Sequence, residues 1–148
     1  MQLELNPTRR PLSTGWQLII TGADAAQTPH DARSADSIDD APVPGTVAEA
    51  LENSGRFHRN NPVQLDNQDA WYFLDLEEMP GPATLHFGGL ATICDVFFNG
   101  ELLLQTENMF LGHDLPVILT GKDELALCFR ALAPRLSQKG PRARWRTQ

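Results

Sequence analysis

The sequence is poor in everything that would staple, span or ligate. Its 148 residues hold two cysteines, Cys94 and Cys128, far apart inside apparent strands. No Cys-x-x-Cys or clustered Cys/His spacing exists, which excludes a structural zinc site of the usual pattern. A disulfide between the two stays open, but free cysteine packs well in cores, and two buried reduced thiols are the favoured reading. Long apolar runs are missing too. The most apolar stretches, Trp16–Ile20 and Leu102–Leu104, fall far short of the roughly 20 residues that span a bilayer. The start, Met1-Gln2-Leu3-Glu4-Leu5-Asn6, shows no basic stretch followed by an apolar one, so no secretory signal is read. With Met1 as a natural start the chain is expected in the cytoplasm, a signal-stripped protein being the other reading.

Positive charge is also scarce. Twelve Lys and Arg against 19 Asp and Glu leave a net charge of −7, which argues against nucleic acid or a membrane as a partner. The balance is uneven along the chain. Asp24 to Asp40 is acidic and rich in small residues, whereas Arg130, Arg135, Lys139, Arg142, Arg144 and Arg146 crowd the end. Residues 131–148 read as a basic tail or a junction, more a solvated edge than a binding arm. The remainder, and on length the whole of 1–148, reads as one domain, able to bury roughly 70% of its unfolded surface.

No catalytic set assembles. None of His30, His58, His86 and His113 has a helical i, i+4 partner ligand, and the serines lack a Gly-x-Ser-x-Gly setting. Gly88-Gly89 opens no phosphate-binding helix. Sugar hydrolysis needs two carboxylates about 5–9 Å apart, and spacing nominates no such pair. No metal and no cofactor are expected.

What is present is a series of short strands. Ala70–Leu76 is aromatic-rich and ends at Met79-Pro80-Gly81-Pro82; Thr84–Phe87 alternates and stops at Gly88-Gly89. Ile93–Phe98 and Glu101–Gln105 flank Asn99-Gly100, a strong hairpin signal because both central residues of a type I′ turn need positive φ. Leu115–Leu119 and Glu124–Arg130 follow, joined by Gly121-Lys122-Asp123. Upstream, a strand is predicted around Trp16–Ile19, a loop over Thr21–Ala41 and another over His58–Gln68. The one helix predicted is Thr46–Asn53, with Thr46 and Glu49 as a capping box and Gly55 as its stop. Six or more strands and one short helix give an all-β fold, a β-sandwich, with Trp71, Phe73, Leu85, Phe87, Val96 and Phe98 in its interior.

The order of several segments is more specific. Asp69-Ala70-Trp71-Tyr72-Phe73-Leu74-Asp75-Leu76 is followed by Leu85-His86-Phe87-Gly88-Gly89-Leu90, by Asp95-Val96-Phe97-Phe98-Asn99-Gly100 and by Asn108-Met109-Phe110-Leu111-Gly112-His113. Upstream lie Trp16, Val43-Pro44-Gly45-Thr46-Val47 and Leu51. This succession resembles the N-terminal sugar-binding-like domain of glycoside hydrolase family 2. Asn108-Met109-Phe110 and Val43–Thr46 resemble its β-mannosidase branch in particular. Ala70 stands where relatives often carry a further tryptophan.

The resemblance implies a galactose-binding-like jelly roll that precedes an immunoglobulin-like domain and a catalytic (β/α)₈ barrel, its partners in the parent enzyme. The catalytic glutamates would belong to that barrel, leaving this chain with no catalytic residue of its own. Branch members also carry a sugar-touching Trp-Asp-Trp-Gly segment near the end of this domain. It is absent before Gln148, so a cut domain is expected.

The resemblance makes the chain a non-catalytic scaffold that lines the edge of a pocket for β-mannosides or another carbohydrate. Asn108, Met109 and His113 are its candidate substrate-binding residues. Asn108 can equally be a strand-end residue bonding its own backbone, and His113 reads first as structural. A free-standing carbohydrate-binding module and a protein-interaction sandwich are the competing readings. The module needs an exposed aromatic platform, whereas Trp16, Trp71 and Tyr72 fall in strand settings.

Overall fold

The computed structural model describes residues 9–138. In chain order the elements are β1 (Gln17–Gly22), α1 (Pro29–Ala32), β2 (Ser37–Ile38), α2 (Val47–Asn53), β3 (Gln68–Leu76), β4 (Gly81–Phe87), β5 (Cys94–Phe98), β6 (Glu101–Thr106), β7 (His113–Leu119), β8 (Asp123–Phe129) and α3 (Ala133–Leu136). Six strands form one antiparallel sheet in the order β2-β1-β3-β8-β5-β6, and β4 pairs with β7 as a second layer. The result is an all-β sandwich, as the strand spacing predicts, of the jelly-roll type that the resemblance implies.

Local sequence sets the corners. Asn99 and Gly100 have φ of 50° and 82°, the pair of positive values the hairpin between β5 and β6 requires. Two pairs from the turn the ladder slips between Val96 and Phe97, so Leu103 has no opposite partner. This bulge lets Leu104 face inward with Val96 while Leu102 faces outward with Phe97. Helix α2 starts where Thr46 Oγ1 accepts from the Glu49 amide at 3.1 Å. It ends in a Schellman turn, with the Arg56 amide on Leu51 O at 2.8 Å and the Gly55 amide on Glu52 O at 3.0 Å.

The reciprocal capping box forms elsewhere. Thr28 and Asp31 exchange both bonds and open the four-residue helix α1, inside the segment the sequence reading leaves as a loop. That segment also supplies the short strand β2.

The sheet packs on two faces. Between the layers, Trp16, Leu18, Tyr72, Leu74, Leu76, Val96, Phe98, Leu125 and Leu127 meet Leu85 and Val117 of the small sheet and Ala50 and Leu51 of α2. The opposite face buries Ile19, Trp71, Phe73, Phe97, Ala126 and Cys128 under Ala26 and Ala32. Trp71 and Phe73 therefore lie outside the sandwich interior, contrary to the sequence reading, while Leu85, Val96 and Phe98 lie within it. The register explains the reversal. Side chains alternate along β3, so Tyr72 and Leu74 take the inner face and their neighbours the outer one. Trp71 stacks on Phe97 at 5.7 Å between centroids and on Phe73 at 6.1 Å, each contact contributing about 0.5–1.5 kcal/mol beyond area burial.

No described helix is long and apolar enough to cross a membrane. Of the basic tail read over 131–148, residues 131–138 carry α3, and residues 139–148, Trp145 among them, lie outside the described residues.

Candidate functional site

Charged residues stand at the outer face of otherwise apolar strands. Asp69 is the second residue of β3, Asp95 sits between Cys94 and Val96, and Arg130 follows the last residue of β8. Alternation turns all three to the same face. There Arg130 Nη1 donates to Asp69 Oδ2 at 3.0 Å and its Nε donates to Asp95 Oδ2 at 2.8 Å. Nη1 also reaches Ala26 O at 2.9 Å. Asp69 accepts further from the Ala131 amide at 2.8 Å and the Asp24 amide at 3.0 Å, and Gln105 Nε2 donates to Asp95 Oδ1 at 2.9 Å.

Asp69 is 1% exposed and Asp95 6%. A buried charge is tolerated only when paired and hydrogen-bonded, and this triad meets the condition. It ties the 24–26 crossover, the start of β3 and the exit of β8 to one guanidinium. Arg130 also lies 5.4 Å from the Trp71 ring centre, a cation–π distance.

Beside the triad the outer face is uncovered, leaving an open cleft of about 630 Å³. It is lined by Asp95, Phe97 and Arg130, by Leu102 and Gln105 of β6, and by Pro134 and Arg135 of α3. At the rim Arg135 Nη1 pairs with Glu107 Oε1 at 2.8 Å.

The strand ends place a second feature at the same end of the sandwich. The chain leaves β6 at Thr106, crosses to the small sheet and enters β7 at His113. This crossover holds the three residues nominated from sequence. Asn108 Oδ1 accepts from the Phe110 amide at 3.0 Å, and its carbonyl accepts from Leu111 at 3.3 Å. Asn108 thus bonds the backbone of its own turn, one of the two readings the sequence leaves open for it. Met109 is 42% exposed, and its carbonyl oxygen presses on the Gly88-Gly89 turn; a Cβ on Gly89 would lie 2.4 Å from it. Half-buried His113 opens β7 opposite Phe87, with its Nε2 buried and unpartnered among the described residues. The structure brings the three residues onto one loop. It adds Phe110, 86% exposed, and Leu111, 53% exposed, which the sequence reading did not nominate. Their signal was three apolar residues in succession between polar strand ends.

The model of the glycosyl hydrolase 2 galactose-binding-like domain matches residues 26–145. The chain belongs to this family. Two solved structures of a GH2 β-galacturonidase from Eisenbergiella tayi share the fold of this galactose-binding-like domain. The one bound to galacturonate is 19% identical with a TM-score of 0.53 over 79% of the chain. The one bound to glycerol is 18% identical with a TM-score of 0.54 over 81%. The galactose-binding-like domain spans only 18% of the length of either solved chain. No curated protein matches it significantly.

Proposed function

We propose that this domain is a non-catalytic scaffold of a larger family 2 glycoside hydrolase, packing against a barrel and lining the edge of its sugar pocket with Asn108, Met109 and His113. The observation that carries the reading is the crossover apex, where Met109, Phe110 and Leu111 expose apolar surface in succession. Contiguous exposed apolar groups mark a surface meant for a partner. The two buried carboxylates of the cleft support a non-catalytic role. Asp69 and Asp95 are both clamped by Arg130, so neither is poised as the acid or nucleophile of a glycosidase pair.

For the parent's substrate we propose β-mannosides, on the strength of Asn108-Met109-Phe110 and Val43-Pro44-Gly45-Thr46. The two solved relatives are named for β-galacturonides, and a uronate is the alternative to test. As a tight free-standing lectin the domain is disfavoured, since Trp16, Trp71 and Tyr72 are 3%, 0% and 5% exposed and offer sugars no aromatic platform.

Chromogenic β-mannoside and β-galacturonide, offered separately to the 148-residue chain and to the product of its full native reading frame, test the proposal. The chain alone is expected to hydrolyse neither. The full product is expected to hydrolyse the mannoside and to lose much of its kcat/KM in Phe110→Ser. Hydrolysis by the chain alone, abolished by a point mutation within it, overturns the scaffold reading; preference for the galacturonide overturns the substrate assignment.

A further inference from the structure

The outer-face cleft has the chemistry of a ligand site that the scaffold role does not use. Its polar groups hold unspent hydrogen-bonding capacity. Arg130 lines the cleft, and its Nη2 meets no acceptor among the described residues. Each oxygen of Asp95 accepts one bond and retains a lone pair. Gln105, an exposed residue, commits its Nε2 to Asp95 and leaves its Oε1 without a donor among the described residues.

A carboxylate and a guanidinium held side by side present an acceptor next to a donor. A hydroxyl group can donate to the first while accepting from the second, and a vicinal diol can do both at once. Leu102, 49% exposed, offers an apolar wall beside this array.

Charge narrows the ligand. Asp24, Asp69, Asp95 and Glu107 face Arg130 and Arg135 around the cleft, an excess of negative charge that repels uronates and phosphates. Both buried carboxylates are already paired with Arg130, and no cluster of three or more metal-ligating side chains exists among the described residues. We propose that this cleft is a secondary subsite for a neutral pyranoside, gripped through two adjacent hydroxyls by Asp95, Arg130 and Gln105, with its C–H face on Leu102. The subsite is separate from the apolar apex at Phe110 and does not depend on a barrel. The one aromatic ring lining the cleft, Phe97, is buried and offers no stacking platform, so binding is weak, with Kd in the range of about 1–10 mM.

Isotope-labelled full chain titrated with methyl mannoside, methyl galactoside and galacturonate, each up to about 100 mM, reads this out by NMR. The Gln105 side-chain amide and Arg130 Nε–H signals are expected to shift saturably with one or both neutral sugars and at least tenfold more weakly with galacturonate. Asp95 and Arg130 hold the fold, so the variants sit at the rim. Gln105→Ala is expected to weaken binding about fivefold or more, Leu102→Arg to abolish it, and Phe110→Ser to leave it unchanged. Absence of saturable shifts overturns the proposal. So does equal binding of galacturonate, an unaffected Gln105→Ala, or a response confined to residues 108–113.

Discussion

Cys94 and Cys128 lie on hydrogen-bonded neighbouring strands yet face opposite sides of the large sheet, because Cys94 stands opposite Phe129 and Cys128 opposite Asp95. Cys94 belongs to the core between the layers and Cys128 to the core beneath the crossover. A sheet separates the two sulfurs, so the disulfide left open by the sequence cannot form without breaking the strand pairing. Both thiols are fully buried, and burial pushes their pKa far upward. Since the thiolate is the reactive species, an aromatic disulfide reagent at pH 8 is expected to leave the native chain unmodified. In denaturant both free cysteines should titrate. Recovery of no thiol in denaturant without reductant would contradict the register.

Removing one member of the Asp69–Arg130–Asp95 triad should be among the costliest single changes in the chain. Asp69→Ala leaves a guanidinium buried with half its pairing and strands the Ala131 and Asp24 amides. Breaking a buried pair in this way costs about 3–5 kcal/mol. Arg33 gives the comparison. Its bond to Glu124 is as short, at 2.6 Å, but the two side chains are 34% and 31% exposed. Arg33→Ala should therefore cost less than about 1 kcal/mol in ion pairing, plus a little for its contact with the Phe73 ring. Urea unfolding measures both, and comparable midpoints would sink the distinction.

The triad also shows where reading the sequence stops. Strand spacing, the Asn99-Gly100 turn and the α2 start are local signals, and each is realised within about three residues, β4 starting earliest at Gly81, where the sequence reads as a turn. The face assignment of β3 was not legible, because Asp69 to Leu74 are all buried; a strand covered on both sides has no polar alternation to say which face looks inward. The cover itself escaped notice, since α1 is four residues long and its capping box uses Asp31. Asp69, Asp95 and Arg130 are separated by 26 and 35 positions, and their only mark in the sequence was a charge set into an apolar strand. Asn108, Met109 and His113 were accessible through family resemblance rather than physics. Their loop is tied by its own backbone, and Phe110 carries most of the exposed surface.

Acid should loosen the two turns that Asp123 joins. Its carboxylate accepts from Asn99 Nδ2 at 2.8 Å, from the Thr120 hydroxyl at 2.8 Å and from the Thr120 amide at 2.8 Å. Asn99 in turn accepts from the Glu124 amide at 2.8 Å. The bond from Asn99, partly offset by burial and then reinforced by Thr120, holds the Asp123 pKa below its ordinary value. A depressed folded pKa contributes stability that is complete above the unfolded value of about 3.9 and is lost as pH falls through the folded value. Asp123→Asn should thus lower Tm by several degrees at pH 7 and narrow its gap to the parent below about pH 4. A gap that stays constant from pH 7 to pH 2 would mean the charge is not what the turns respond to.

Adjacent glycines should behave differently although the change made at each is the same. A Cβ at Gly88 meets nothing within 4 Å, whereas one at Gly89 lies 2.4 Å from the Met109 carbonyl oxygen. That oxygen is backbone and cannot rotate away, so the 88–89 turn and the crossover must separate. Gly88→Ala is expected to leave stability within about 0.5 kcal/mol of the parent. Gly89→Ala should lose about 1–3 kcal/mol, the usual cost of forcing atoms into a packed contact. The displacement falls on the loop that carries Asn108 and Met109 and leads to His113. Amide spectra of Gly89→Ala should therefore move at residues 108–113 while those of the Asp69–Arg130–Asp95 cluster stay in place. Equal stability of the two variants would show that the loop is not held against this turn.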